Sequence, residues 1–139
     1  MALLRTAFCS FDYVYALRSL TAAALPGPAA EGYETLRGEA RRSLVVIPGV
    51  YETWQCLRPL IRRLHEVGYP IHVIADLGRN AGSVTDAAVL VAKHIADHDL
   101  RDVTIVAHSK GGLIGKYVIA LLDPAERVRD MIAVATPFS

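Results

Sequence analysis

The chain has 139 residues, of which 53% are hydrophobic and 21% charged, and its formal net charge is +1. That length suits one domain or part of one, and that composition can bury a core and excludes a disordered chain. Near-neutral charge without a basic or acidic block gives no support to nucleic-acid or polyanion partners.

Residues 1–25 carry the first predicted element. Leu4, Phe8, Phe11, Val14 or Tyr15, and Arg18 recur at helical spacing, and Leu25-Pro26-Gly27-Pro28 ends the pattern. The reading is a packing helix or arm over the core rather than a lid or a membrane-surface helix. No uncharged run reaches the ~18 residues of a transmembrane span. Arg5, Asp12 and Arg18 also interrupt the unbroken apolar stretch that a signal peptide requires. The two cysteines, Cys9 and Cys56, are too few for a disulfide framework or a metal site. They read as small core residues in a reducing compartment, and the expected location is cytoplasmic.

Residues 29–42 are polar, contain Gly32 and Gly38, and read as a loop with a short strand at Tyr33–Leu36 as an option. Residues 1–42 are thus assigned to an N-terminal helix and loop, and 43–139 to the main domain. Ser43–Ile47 is a short continuous apolar run of the kind buried in a parallel sheet, and Pro48-Gly49 stops it. A helix follows over about Thr53–Val67. Pro59 is tolerated there only in the first turns, and Gly68 provides the C-terminal stop. Ile71–Ala75 is the second strand. Ser83, with Asp86 three residues on, is a capping-box variant opening a helix to about Asp97 that buries Val84, Ala87, Ala88, Val91 and Ile95. Val103–Ala107 is the third strand, Lys110–Leu122 the next helix, and Met131–Ala135 the fourth strand. From residue 43 the order is β-α-β-α-β-α-β, which predicts a doubly wound, mainly parallel α/β sheet with helices on both faces.

The chemistry gathers where the third strand turns into its helix. Ser109 sits at that junction, with Ala107 two residues before and Gly111 two after. The pattern is G-x-S-x-G with Ala for the first Gly. A serine at the tip of a strand-to-helix turn projects its Oγ at the C-terminal edge of the sheet, and the close backbones demand small flanking residues. As a nucleophile it needs a base, an acid to orient that base, and two N–H groups for the oxyanion. Lys110 N–H, at the helix start, is one such donor. The loop Pro48–Tyr51 should hold the second, with Val50 N–H the first choice and Tyr51 N–H the next.

These residues together, Ile105–Gly112 with Val46–Tyr51 upstream and Ala135–Phe138 downstream, resemble the α/β-hydrolase superfamily, and within it bacterial lipase- and esterase-like members. The resemblance covers residues 43–139. It implies a serine hydrolase acting on small-molecule or lipid esters through acyl-Ser109, with the Val50 and Lys110 N–H groups as the oxyanion hole. It implies no cofactor and no metal. Pro48-Gly49 stands where the family commonly has His-Gly, but the donor there is a backbone group. Lys110 replaces the usual Met or Gln. Its side chain can border the pocket or pair with Ser109, but the expected working group is its N–H.

In the family the triad runs Ser, then acid, then His. Here His65, His72, His94, His98 and His108 all precede Ser109. The first four read as solvated or packing side chains, and His108 as part of the elbow. Asp123 and Asp130 follow Ser109 but suit a helix end and a strand start, so neither is assigned as the acid. The resemblance therefore implies that the acid and histidine lie beyond residue 139, and that this segment alone has little turnover. Two alternatives stand beside the hydrolase: an inactive binding or scaffold protein of this fold, and an acyltransferase. Gly111–Lys116 resembles a phosphate loop, but its spacing is short and Tyr117 replaces the required Ser or Thr. Arg79 reads as a solvated loop residue rather than an anion ligand. An incomplete sheet would leave an open edge and an apolar face, so self-association is expected.

Overall fold

The computed structural model describes residues 30–34 and 41–138. The predicted N-terminal helix lies outside them. Four parallel strands form one sheet: β1 (Leu44–Ile47), β2 (Ile71–Val73), β3 (Val103–His108) and β4 (Val128–Val134), in the order β2-β1-β3-β4. Helix α1 (Arg58–Glu66) links β1 to β2, α2 (Val84–Asp97) links β2 to β3, and α3 (Lys110–Tyr117) links β3 to β4. This is the doubly wound α/β architecture that the strand and helix order predicts.

Strand alternation explains the layers. Val45 and Ile47 of β1, with Val103, Ile105 and Ala107 of β3, face α2 and α3 and join one core with Ala88, Val91, Ile95 and Ile114. Leu44 and Val46, with Ile71, Val73 and Val106, face the other way and pack with Trp54 and Ile61 from the α1 side. Burying one such aliphatic side chain stabilises by roughly 1.5–3 kcal/mol. On β4 the coverage thins. Met131 packs against the α2–α3 core, whereas Ile132 and Val134 remain half exposed.

Local rules set the element ends. Pro59 occupies the first turn of α1, after a 3-10 turn at Trp54–Leu57, so the helix proper starts five residues later than the predicted Thr53. Gly68, at φ 105°, closes it by donating its N–H to His65 O while Tyr69 N–H reaches Leu64 O. Ser83 caps α2, accepting from Asp86 N–H at 3.0 Å.

Four further boundaries differ from expectation. Tyr33 ends a 3-10 turn, Ala30–Tyr33, and is not in a strand; residues 35–40 are outside the described set. Strand β2 stops at Val73 because the chain turns at Ala75–Leu77 to bury Leu77. The helix after Ser109 is α-helical only to Tyr117 and finishes as a π turn, Val118–Leu122. Strand β4 starts at Val128, three residues early, because the Asp123 carboxylate accepts from Arg127 and Val128 N–H and aligns the chain beside Val103.

Candidate active site

Strands β1 and β3 are central neighbours, paired Ile47 to Ala107 at their last shared register position. The chain leaves both at the same edge, so the loop after Ile47 and the turn after His108 lie side by side. Ligand sites in open α/β sheets form at this edge.

Ser109 occupies the turn with φ 51° and ψ −121°, a conformation costly for a residue with a side chain. The surroundings hold it there. Ser109 N–H donates to Val134 O at 2.8 Å, and Gly112 N–H donates to Ser109 O at 3.0 Å. A Cβ added at Gly111 would stand 2.4 Å from Ile47 O, a backbone atom that cannot move aside. Gly112 is packed as tightly against Thr136, and Gly115 against Met131. Ala107, on the strand side, is buried. Small residues are therefore required by the close approach of β1 and β4 to the turn, as the spacing predicts.

Lys110 begins α3, where first-turn N–H groups have no helical acceptor. Its side chain turns away to the loop after β2, donating to Asn80 O at 2.7 Å and to Gly82 O. That ammonium is engaged by two carbonyls and does not pair with Ser109. Val50 and Tyr51 form the turn after Gly49; both are exposed, and Tyr51 has φ 60°. Arg79 is exposed, as expected of a solvated loop residue.

Two residues that the sequence did not single out lock the loop to the elbow. Glu52 Oε2 accepts from Gly49 N–H at 2.8 Å, and His108 Nδ1 stands 2.8 Å from the same oxygen. Asn80 is 2% exposed at φ 50°, and its Nδ2 donates to Pro48 O at 2.7 Å. Asn80 tolerates the left-handed conformation, and Gly78-Arg79-Asn80 in a turn was the available sequence signal. Glu52 had none, because its partner is 56 residues away. A cavity of about 270 Å³ adjoins the Glu52–His108 pair, lined with Cys56, Leu57, Leu60, Val106 and Val134.

Among the described residues no histidine is hydrogen-bonded to Ser109. His108 is held by Glu52. His65 packs edge-on against Tyr33 at 5.6 Å. His72, on the edge strand β2, gathers with His94 and His98 from the end of α2. Because α2 runs back against the strands, its C-terminal end lies at the sheet edge opposite Ser109. Of the later acids, Asp123 caps the turn before β4 and Asp130 pairs with Arg42.

No protein-family model matches the sequence, and no curated protein is significantly similar to it. Among solved structures, one match is an extracellular α/β-hydrolase from a Paenibacillus species, described as sharing structural and functional homology with tobacco salicylic acid binding protein 2. The TM-score is 0.58 at 18% sequence identity, over 69% of this chain and 41% of that one. The likeness is one of fold: a parallel, doubly wound α/β sheet. The chain spans less than half of this neighbour's length. No helix among the described residues is long and apolar enough to cross a membrane.

Proposed function

We propose that the chain carries the nucleophile of a serine hydrolase for carboxylic esters, small or lipid-derived. The observation that carries this reading is the strained backbone of Ser109 at the strand-to-helix turn, maintained by a glycine seated under Ile47 O. A surface loop has no reason to hold a serine that way, whereas a nucleophile needs its Oγ raised above the sheet edge.

Ser109 Oγ attacks the ester carbonyl carbon as a base takes its proton. The Lys110 and Val50 N–H groups receive the developing oxyanion. The C–O bond to the alcohol breaks, the alcohol leaves with that proton, and acyl-Ser109 remains. Water then attacks the acyl carbon, releases the acid and restores the hydroxyl. No histidine among the described residues is hydrogen-bonded to Ser109 to act as that base. The apolar cavity beside His108 is suited to the acyl or alcohol portion. A cytoplasmic setting belongs to the same proposal and is supported by the free, buried Cys56.

The test is fluorophosphonate labelling of the complete polypeptide. One adduct on the Ser109 peptide is expected, absent in Ser109→Ala. The 139-residue chain without a base should retain no more than the roughly 10³–10⁴-fold advantage over water left when triad members are lost. Engagement of His108 by Glu52 favours one second reading, a catalytically inactive binding protein. Folded complete polypeptide that resists labelling would establish that reading and refute the first. An acyltransferase would label equally and be separated by ester products formed with an alcohol acceptor.

A further inference from the structure

Far from the elbow, three segments bring metal-ligand side chains together. Glu34 follows the 3-10 turn Ala30–Tyr33, His72 lies on β2, His94 lies in the last turn of α2 and His98 caps its C-terminus. One donor atom from each of Glu34, His94 and His98 falls within 4.8 Å of the others. His72 is only 7% exposed, and its ring centroid is 5.6 Å from His94 and 5.7 Å from His98.

The cluster is poorly explained as ordinary packing. His72 Nδ1 and His94 Nε2 are buried without a hydrogen-bond partner, which is costly for groups removed from water. His72 Nδ1 lies 3.5 Å from Glu34 Oε1, outside a good hydrogen bond. A tetrahedral zinc with donors at ~2.0–2.1 Å spaces its ligands ~3.4 Å apart, within the 4.8 Å that encloses one donor atom from each of Glu34, His94 and His98. Tautomers fit as well. His98 Nδ1 stands 2.9 Å from His94 O; as the N–H donor there it frees Nε2 for a ligand, the outer-shell arrangement common to metal-bound histidines.

We propose that Glu34, His94 and His98 bind a divalent transition-metal ion of the zinc type, with the buried His72 ring packed beside them. Imidazole and carboxylate donors suit Zn²⁺, Co²⁺ or Ni²⁺ and not the all-oxygen shells of Ca²⁺ or Mg²⁺. Two of the donors come from the C-terminal end of α2 and the third from the segment before β1, with His72 of β2 against them. The ion would therefore clasp that segment to β2 and α2, at the sheet edge away from Ser109. Its role is structural, and it is independent of the hydrolase proposal.

The experiment is calorimetric titration of the untagged chain with Zn²⁺, together with Co²⁺ absorption as a report on geometry. One ion per chain, a tetrahedral Co²⁺ spectrum and a higher melting temperature with Zn²⁺ are expected. His98 is exposed, so His98→Gln should fold normally, yet bind Zn²⁺ more than ~100-fold more weakly, beyond the loss seen for outer-shell partners. His108→Gln, at the opposite edge, should bind as the parent does. Absence of binding at micromolar Zn²⁺, undiminished binding in His98→Gln, or loss of binding in His108→Gln would each overturn the proposal.

Discussion

The two edges of the sheet hold complementary halves of familiar chemistry. At the C-terminal edge, Ser109 is held in a strained turn by glycines, a glutamate and an asparagine, with no histidine hydrogen-bonded to it among the described residues. At the other edge, three histidines and Glu34 share a half-buried cluster with orphaned ring nitrogens and no serine in the cluster. Strand direction enforces the separation. A parallel strand delivers its last residue to one edge, and the helix that returns delivers its last residue to the other. Ser109 ends the first kind of element, while His94 and His98 end the second. Proximity in the sequence is no guide here: His98 precedes Ser109 by 11 residues, yet the fold places them at opposite edges.

The elbow is a framework under tension, and the sharpest way to break it is to fill its tightest contact. Gly111→Ala would set a methyl group against Ile47 O. A loss of about 3 kcal/mol or more is expected in chemical denaturation, at the upper end for overpacking. Gly82→Ala, with nothing within 4 Å of its added carbon, should stay within ~0.5 kcal/mol of the parent. Equal effects at the two sites would mean that the close approach of β1 to the turn is absent.

Glu52→Ala tests the link between the loop and the elbow. It strips one acceptor from both Gly49 N–H and His108. Hydrogen bonds to a charged group contribute ~1.5–3 kcal/mol, and partial exposure lowers the expectation to about 1–2 kcal/mol, read from the denaturation midpoint. Esterase activity of the complete polypeptide should fall with it, because the Val50 turn loses its anchor. A stability loss with unchanged activity would remove Val50 from the oxyanion hole.

The smallest effect has the opposite sign. Ser109→Gly removes a side chain from a backbone at φ 51°, relieving ~1–3 kcal/mol of strain at an entropic cost of about 0.5–1 kcal/mol. A net stabilisation of roughly 1 kcal/mol is expected, with complete loss of labelling. Destabilisation would show that the serine is comfortable in its turn and that the strain serves no purpose.

The elbow was legible in the sequence because its determinants are local. A β-branched strand, a serine and three glycines fall within 13 residues, Val103–Gly115, and each small residue answers a steric demand of that one turn. The sheet was legible for a similar reason: short apolar runs alternate with capped amphipathic stretches. Its boundaries were less so. The start of β4 depends on the Asp123 cap and the end of β2 on Leu77 turning inward, and both are tertiary choices. Glu52 and Asn80 were invisible as site residues because their partners lie 56 and 32 residues away. The histidine cluster draws on three segments, and only the His94–His98 spacing of one helical turn was a local clue. That spacing reads as a solvated helix face until β2 and the Ala30–Tyr33 turn are brought beside it.

The division of labour between the two edges is tested most directly by intact-mass analysis after fluorophosphonate treatment of the complete polypeptide. Three proteins suffice: the parent, Ser109→Ala, and the double variant His94→Gln/His98→Gln. A single adduct on the parent and on the double variant, with none on Ser109→Ala, is the expected result. An adduct that persists in Ser109→Ala, or one that disappears with the α2 histidines, would contradict it.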